Sequence, residues 1–88
     1  MQNGNEKWTF DALLMNVDLP DGNGIESARV LREKGYEGAI IFTSSSGKDA
    51  FRAYSVHALH YLVKPVNREK LNEAMDRAVE EIRRYLRN

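Results

Sequence analysis

The sequence contains no cysteine, so disulfides, thiol catalysis and thiolate-bound zinc are all excluded. It has no surplus of either charge. Thirteen Lys and Arg balance thirteen Asp and Glu, and nothing at the level of the whole chain points to nucleic acid or an anionic membrane. No apolar run approaches the roughly 20 residues needed to span a membrane. The opening MQNGNEKWTF lacks the basic-then-apolar order of a signal peptide. A cytoplasmic protein with no membrane contact is therefore expected. Neither a phosphate-cradling glycine-rich loop nor a nucleophile–base pair is present, so no enzyme is expected. At 88 residues the chain is one domain with a thin core, because a chain of this size buries only about 60% of its unfolded surface.

What is present alternates. Residues 1–9 are polar apart from Trp8 and read as an N-terminal arm or the remnant of a helix, ahead of a domain at 10–88. The nearly all-apolar run at 12–17 suits a strand covered on both faces, and Asp21-Gly22-Asn23-Gly24 suits a turn. Ile25, Ala28 and Leu31 then fall at helical spacing, and Gly35 marks the stop. The run AIIF at 39–42 is a second buried strand, followed by the polar loop Thr43-Ser44-Ser45-Ser46-Gly47. Ala50, Phe51, Ala53 and Tyr54 suggest a short amphipathic helix over 48–56, and ALHYLV at 58–63 a third strand that Lys64-Pro65 ends. Asn67 is a good N-cap for a last helix, whose apolar stripe runs from Leu71 through Ala74, Met75, Ala78, Val79 and Ile82 to Tyr85 and Leu86. The order β-α-β-α-β-α predicts an α/β fold on a parallel sheet of three strands. Right-handed crossovers put the first two helices on one face and the last helix on the other.

In such a sheet the carboxyl ends of the strands share one edge, which gathers Asn16 and Asp18, Thr43 and Ser44, and Lys64. A carboxylate nucleophile, a hydroxyl and an ammonium at such an edge would suit phosphoryl transfer. Position 16, however, holds an amide. His57 and His60, three residues apart with no third ligand in view, read as surface residues rather than a metal pair. Tyr54, Tyr61 and Tyr85 read as core or interface aromatics.

Three stretches, NVDLPDGNG at 16–24, IIFTS at 40–44 and YSVHALHYLVKPV at 54–66, together resemble the receiver domain of bacterial two-component response regulators. The likeness is greatest to receivers that precede LytTR-type DNA-binding domains, and it implies a truncated flavodoxin-like fold from about Phe10 to Arg84. By this resemblance Asn16 falls where the family carries its phosphoacceptor aspartate, four residues before Pro20. Asp18 falls where a backbone carbonyl helps to hold Mg²⁺. Ser44 and Tyr61 take the switch positions, Lys64 that of the lysine that pairs with the phosphorylated aspartate, and Pro65 that of a proline whose peptide bond is often cis.

Two departures shape the expected function. An amide nitrogen is not a nucleophile at neutral pH, and an amide oxygen offers Mg²⁺ no charge. Nothing before Phe10 supplies the family's acidic pair, although Mg²⁺ binds mainly through carboxylates. No cofactor is therefore expected, and the resemblance implies a degenerate, truncated module of phosphorelay signal transduction. It would act by protein–protein association in transcriptional regulation, without touching nucleic acid directly. The strand at 12–17, central in a complete receiver, would have a bare edge, and such an edge is a template for association. A homodimer through that edge or by exchange of elements is expected, or else a partner protein. The alternatives are a fragment of a phosphoacceptor domain and an engineered half-fold.

Overall fold

The computed structural model describes residues 12–87, with side chains as far as Arg84. The expected arm at 1–9 lies outside the described residues. The elements run β1 (Ala12–Asn16), β2 (Asp18–Leu19), β3 (Gly22–Asn23), α1 (Gly24–Glu33), β4 (Ala39–Ser44), α2 (Ala50–Tyr54), β5 (His60–Val63) and α3 (Arg68–Arg87). β1, β4 and β5 form one sheet in that order, with both pairings parallel. This is the α/β architecture that the alternation predicts.

The faces also follow the pattern. Along β4, side chains alternate between two cores because successive residues of a strand point to opposite sides. Ile40 and Phe42 join Val17, Ile25, Ala28, Ala53 and Val56 under α1 and α2, while Ala39 and Ile41 join Leu62, Ala74 and Ala78 under α3. The sheet is thus covered by α1 and α2 on one side and by α3 on the other. Both longer helices begin on asparagine caps. The Asn23 side chain accepts from the Ile25 backbone N–H at 2.7 Å, and Asn67 from that of Lys70 at 2.7 Å.

Several expectations are corrected. β1 is covered on one face only among the described residues. Leu13 and Met15 pack on the α1/α2 core, but Leu14 points to the α3 side and is 58% exposed. α3 packs over β4 and β5, and on it Met75 and Val79, flanking the buried Ala74 and Ala78, stay exposed. α2 spans five residues rather than nine. It tightens into i→i+3 turns, with Ser55, Val56 and His57 donating to Arg52, Ala53 and Tyr54. Of its apolar residues only Ala53 is buried, and Phe51 and Tyr54 face outward. The turn at 21–24 contains more than a turn, since β2 and β3 form a small antiparallel hairpin. His57 is exposed, as expected, and adopts a left-handed φ of 61°. His60 is only partly at the surface. Strand alternation puts it on the side of Leu62, where it is half-buried with Nε2 shielded and without a hydrogen-bond partner.

Sequence reading overlooked Arg32, which fastens the amino-terminal edge of the sheet. Its guanidinium donates to four backbone carbonyls: Val56 at 2.9 Å, Tyr36 at 3.0 Å, Gly38 at 2.8 Å and His57 at 3.2 Å. It also lies 5.5 Å from the centre of the Tyr36 ring. Burial pulls its pKa below the ordinary arginine value, with Tyr36 and Glu37 opposing. The loops before β4 and β5 are therefore joined by one planar fork. Arg32→Ala is expected to cost about 2 kcal/mol, within the ~1.5–3 kcal/mol of a hydrogen bond from a charged group, since water replaces some of the lost donors. Arg32→Lys should recover only part of this because an ammonium cannot span the fork. Urea unfolding of the three proteins measures both effects.

Candidate functional site at the carboxyl edge of the sheet

The register assembles the site. Asn16 lies opposite Thr43, and Ser44 opposite Val63, so the last residues of three strands meet at one edge. The Val17 backbone N–H donates to the Thr43 carbonyl at 2.8 Å, and that of Lys64 to the Ser44 carbonyl at 2.7 Å, carrying the alignment one step past each strand. The Lys64–Pro65 peptide bond is cis.

Asn16 is held at both ends of its amide. Its Nδ2 donates to the Asp18 carbonyl at 3.1 Å. Its Oδ1 accepts from the Asp18 backbone N–H at 3.4 Å and from Lys64 Nζ at 3.3 Å. The amide and the ammonium are thus brought together, as the sequence suggests. Tyr61 also reaches the edge. Its hydroxyl donates to the Ser46 carbonyl at 2.8 Å, while its ring lies 6.5 Å from that of Phe42.

The sequence places Asp18 at this edge but does not show where its side chain turns. Its carboxylate turns onto the loop after β4, where Oδ2 accepts from the Ser45 backbone N–H at 2.8 Å and from Ser45 Oγ at 2.9 Å. The buried Ser44 hydroxyl approaches both carboxylate oxygens at 3.4 Å. The Ser45 backbone N–H, then the Ser45 and Ser44 hydroxyls and the nearby Lys64 charge, hold this carboxyl below the ordinary aspartate range. A carboxylate two residues beyond a strand tip, facing a run of three serines, is the signal that was available for it.

These residues form a polar edge in which one ammonium, one amide and one carboxylate are already paired among the described residues. The Asn16 amide oxygen is uncharged and already accepts from Lys64, and the Asp18 carboxylate is committed to Ser44 and Ser45. Among the described residues no three His, Cys, Asp or Glu side chains converge. No described helix is long and apolar enough to cross a membrane.

Comparison with known proteins agrees with this fold. The family described as "Response regulator receiver domain" matches residues 2–76. The chain is 30% identical over 69 residues to the sensory transduction protein LytR of Staphylococcus epidermidis, covering 78% of this chain and 27% of that protein. It is 34% identical over 65 residues to the sensory transduction protein LytT of Bacillus subtilis, covering 74% and 27%. Over 82 residues it is 35% identical to the positive alginate biosynthesis regulatory protein of Pseudomonas aeruginosa, covering 86% and 33%. The chain therefore spans a third or less of the length of these curated relatives. With three parallel strands, crossovers of one hand and a polar edge built by their carboxyl ends, the chain belongs to the receiver-domain family of two-component response regulators.

Proposed function

We propose that this receiver domain works without accepting a phosphoryl group, as a non-enzymatic module of protein–protein association in a transcription-regulator context. The observation that carries this reading is the pairing of Lys64 Nζ with the Asn16 amide at 3.3 Å. In this reading Asn16 occupies the phosphoacceptor place, Lys64 and Pro65 that of the phosphate-pairing lysine and its proline, and Ser44 and Tyr61 the switch places. Asp18 keeps only a vestige of the metal-carbonyl position, and no cofactor is used. A neutral amide in the lysine's reach supplies neither an attacking oxygen anion nor a charge for a cation. Incubation with a small acyl phosphate and Mg²⁺ is expected to leave the intact mass of the chain unchanged. A stoichiometric phosphoryl adduct overturns the reading.

The proposed partner is a second copy of the chain, meeting at β1 through its edge or by exchange of elements. Among the described residues β1 has one hydrogen-bonded neighbour, β4, and an unpaired strand edge favours association. Leu14, Met75 and Val79, all on the α3 side of the sheet, are 58%, 45% and 44% exposed. Nothing in the balanced charge calls for nucleic acid. Sedimentation equilibrium over a range of concentrations is expected to give a dimer that Leu14→Asp weakens at least tenfold, since the variant would bury an unpaired charge. A single-chain mass at every concentration removes the dimer and turns attention to a separate partner protein.

A further inference from the structure

We propose that the Asp18 carboxylate is a built-in ligand of the loop after β4, a latch that fixes Ser44 to Ser46 and, through them, the Tyr61 hydroxyl. It goes further than the proposed function and rests on it in one respect, that no transferred group arrives to order this edge. The contacts form a continuous chain. Asp18 Oδ2 takes the Ser45 N–H and hydroxyl at 2.8 and 2.9 Å, and both its oxygens face Ser44 Oγ at 3.4 Å. Ser44 Oγ in turn accepts from the Ser46 backbone N–H at 3.2 Å, and the Ser46 carbonyl accepts from Tyr61 at 2.8 Å. One carboxylate thereby joins the tip beyond β1 to β5, across β4.

The physical case is that a loop of three serines and a glycine is a poor keeper of its own conformation. Small polar side chains and Gly47 leave many backbone states open, and fixing a residue in one state has an entropic cost. Hydrogen bonds to an ionised acceptor are about twice as strong as neutral ones. Here the N–H and the hydroxyl of a single residue, Ser45, converge on one oxygen of a carboxylate that is itself held ionised. Lys64, which could draw Asp18 away, is instead engaged with the Asn16 amide. Asp18 is exposed at the surface and contributes to neither apolar core, so it can be replaced without opening a cavity.

The test is amide hydrogen exchange and tyrosine ring resonances, measured by NMR on the full chain, for the parent, Asp18→Ala and Asp18→Asn. Asp18→Ala is expected to speed exchange at Ser45 about tenfold, the factor of one charge-assisted hydrogen bond, and to shift the Tyr61 ring signals. Asp18→Asn keeps an acceptor oxygen without the charge and should fall between the two. Acetate, added at ionic strength matched with chloride, should move the Ser45 amide and Tyr61 signals of Asp18→Ala back toward those of the parent. Unaltered Ser45 exchange, or Tyr61 signals that stay in place in a folded Asp18→Ala protein, overturns the latch. If Asp18→Ala does not fold, Asp18→Asn decides through the same Ser45 amide, and unaltered exchange there also overturns the proposal. The exchange is measured without phosphodonor, so a phosphoryl adduct formed when donor is added would remove the proposed function without altering this result, and the two failures are distinguishable.

Discussion

Gly24→Ala is expected to lower the urea midpoint of unfolding by at least about 1 M, and in a marginal background to leave the chain unfolded. Gly24 is buried at the start of α1, where its backbone N–H donates to the Val17 carbonyl at 2.9 Å. A methyl group at this position would drive into the Asn16 carbonyl oxygen, and would also meet the Asn16 carbonyl carbon at 3.0 Å and Val17 Cα at 3.2 Å. All three are backbone atoms, so no rotamer change relieves the overlap. Either α1 lifts from the sheet or the tip of β1 moves. Overpacking costs about 1–3 kcal/mol where side chains can yield, and more where they cannot. About 3 kcal/mol is expected here, because the helical gain of alanine over glycine is at most about 1 kcal/mol. With an m-value of about 1–3 kcal/mol/M, that loss gives the stated shift.

The other glycines serve as controls. An added methyl group at Gly22 meets nothing within 4 Å, so Gly22→Ala should be nearly neutral. Gly35 also has open space but sits at φ +100°, and Gly35→Ala should cost about 1–2 kcal/mol from left-handed strain alone. An order of Gly24, then Gly35, then Gly22 would separate contact from conformation. Equal effects at Gly24 and Gly22 would contradict the close approach of α1 to β1. The position also bears on the site, because the carbonyl in the way is that of Asn16.

The element order was legible in the sequence because each element carries its own local signal. Apolar runs ending in Asn, Gly or Pro gave the strands, and Ile25, Ala28 and Leu31 gave a helix by spacing. The handedness of the crossovers was enough to put α3 opposite α1 and α2. Contacts that no local signal carries were not legible. The exposure of Leu14 depends on how far α3 reaches across the sheet, not on the composition of β1. Phe51 and Tyr54 share a helix face, as a buried stripe would, but α2 turns Ala53 to the core and leaves that face outward. At the site, Asn16, Asp18, Ser44 and Lys64 could be placed at one edge because strand ends align. The direction of the Asp18 carboxylate could not be read, since a side chain just past a strand can turn either way. Only the position of the facing serine loop decides it.

Phe42→Ala is expected to have the largest effect of all, a loss of about 3–5 kcal/mol. For 88 residues the usual stability of ~0.05–0.15 kcal/mol per residue amounts to about 4–13 kcal/mol, so at the lower end of that range much of the population should be unfolded at room temperature. Phe42 lies on β4, the central strand, is fully buried, and packs in the core under α1 and α2. The cavity left by removing its ring would border β4 and β5, whose parallel pairing places Phe42 opposite Tyr61. Phe42→Leu fills most of that volume and should cost less than half as much, which makes it the variant to examine at the site. The Phe42 ring is one wall of the place where Tyr61 sits, and Tyr61 reaches the serine loop through its hydroxyl. A folded Phe42→Leu protein should therefore give Tyr61 more than one position and broaden its ring signals by NMR. The Ser45 amide, held separately by Asp18, should keep its slow exchange. If Ser45 loosens together with Tyr61, the core is holding the loop and the carboxylate adds little. If Tyr61 alone loosens, the edge is organised from two sides, by apolar packing beneath β5 and by charge beyond β1.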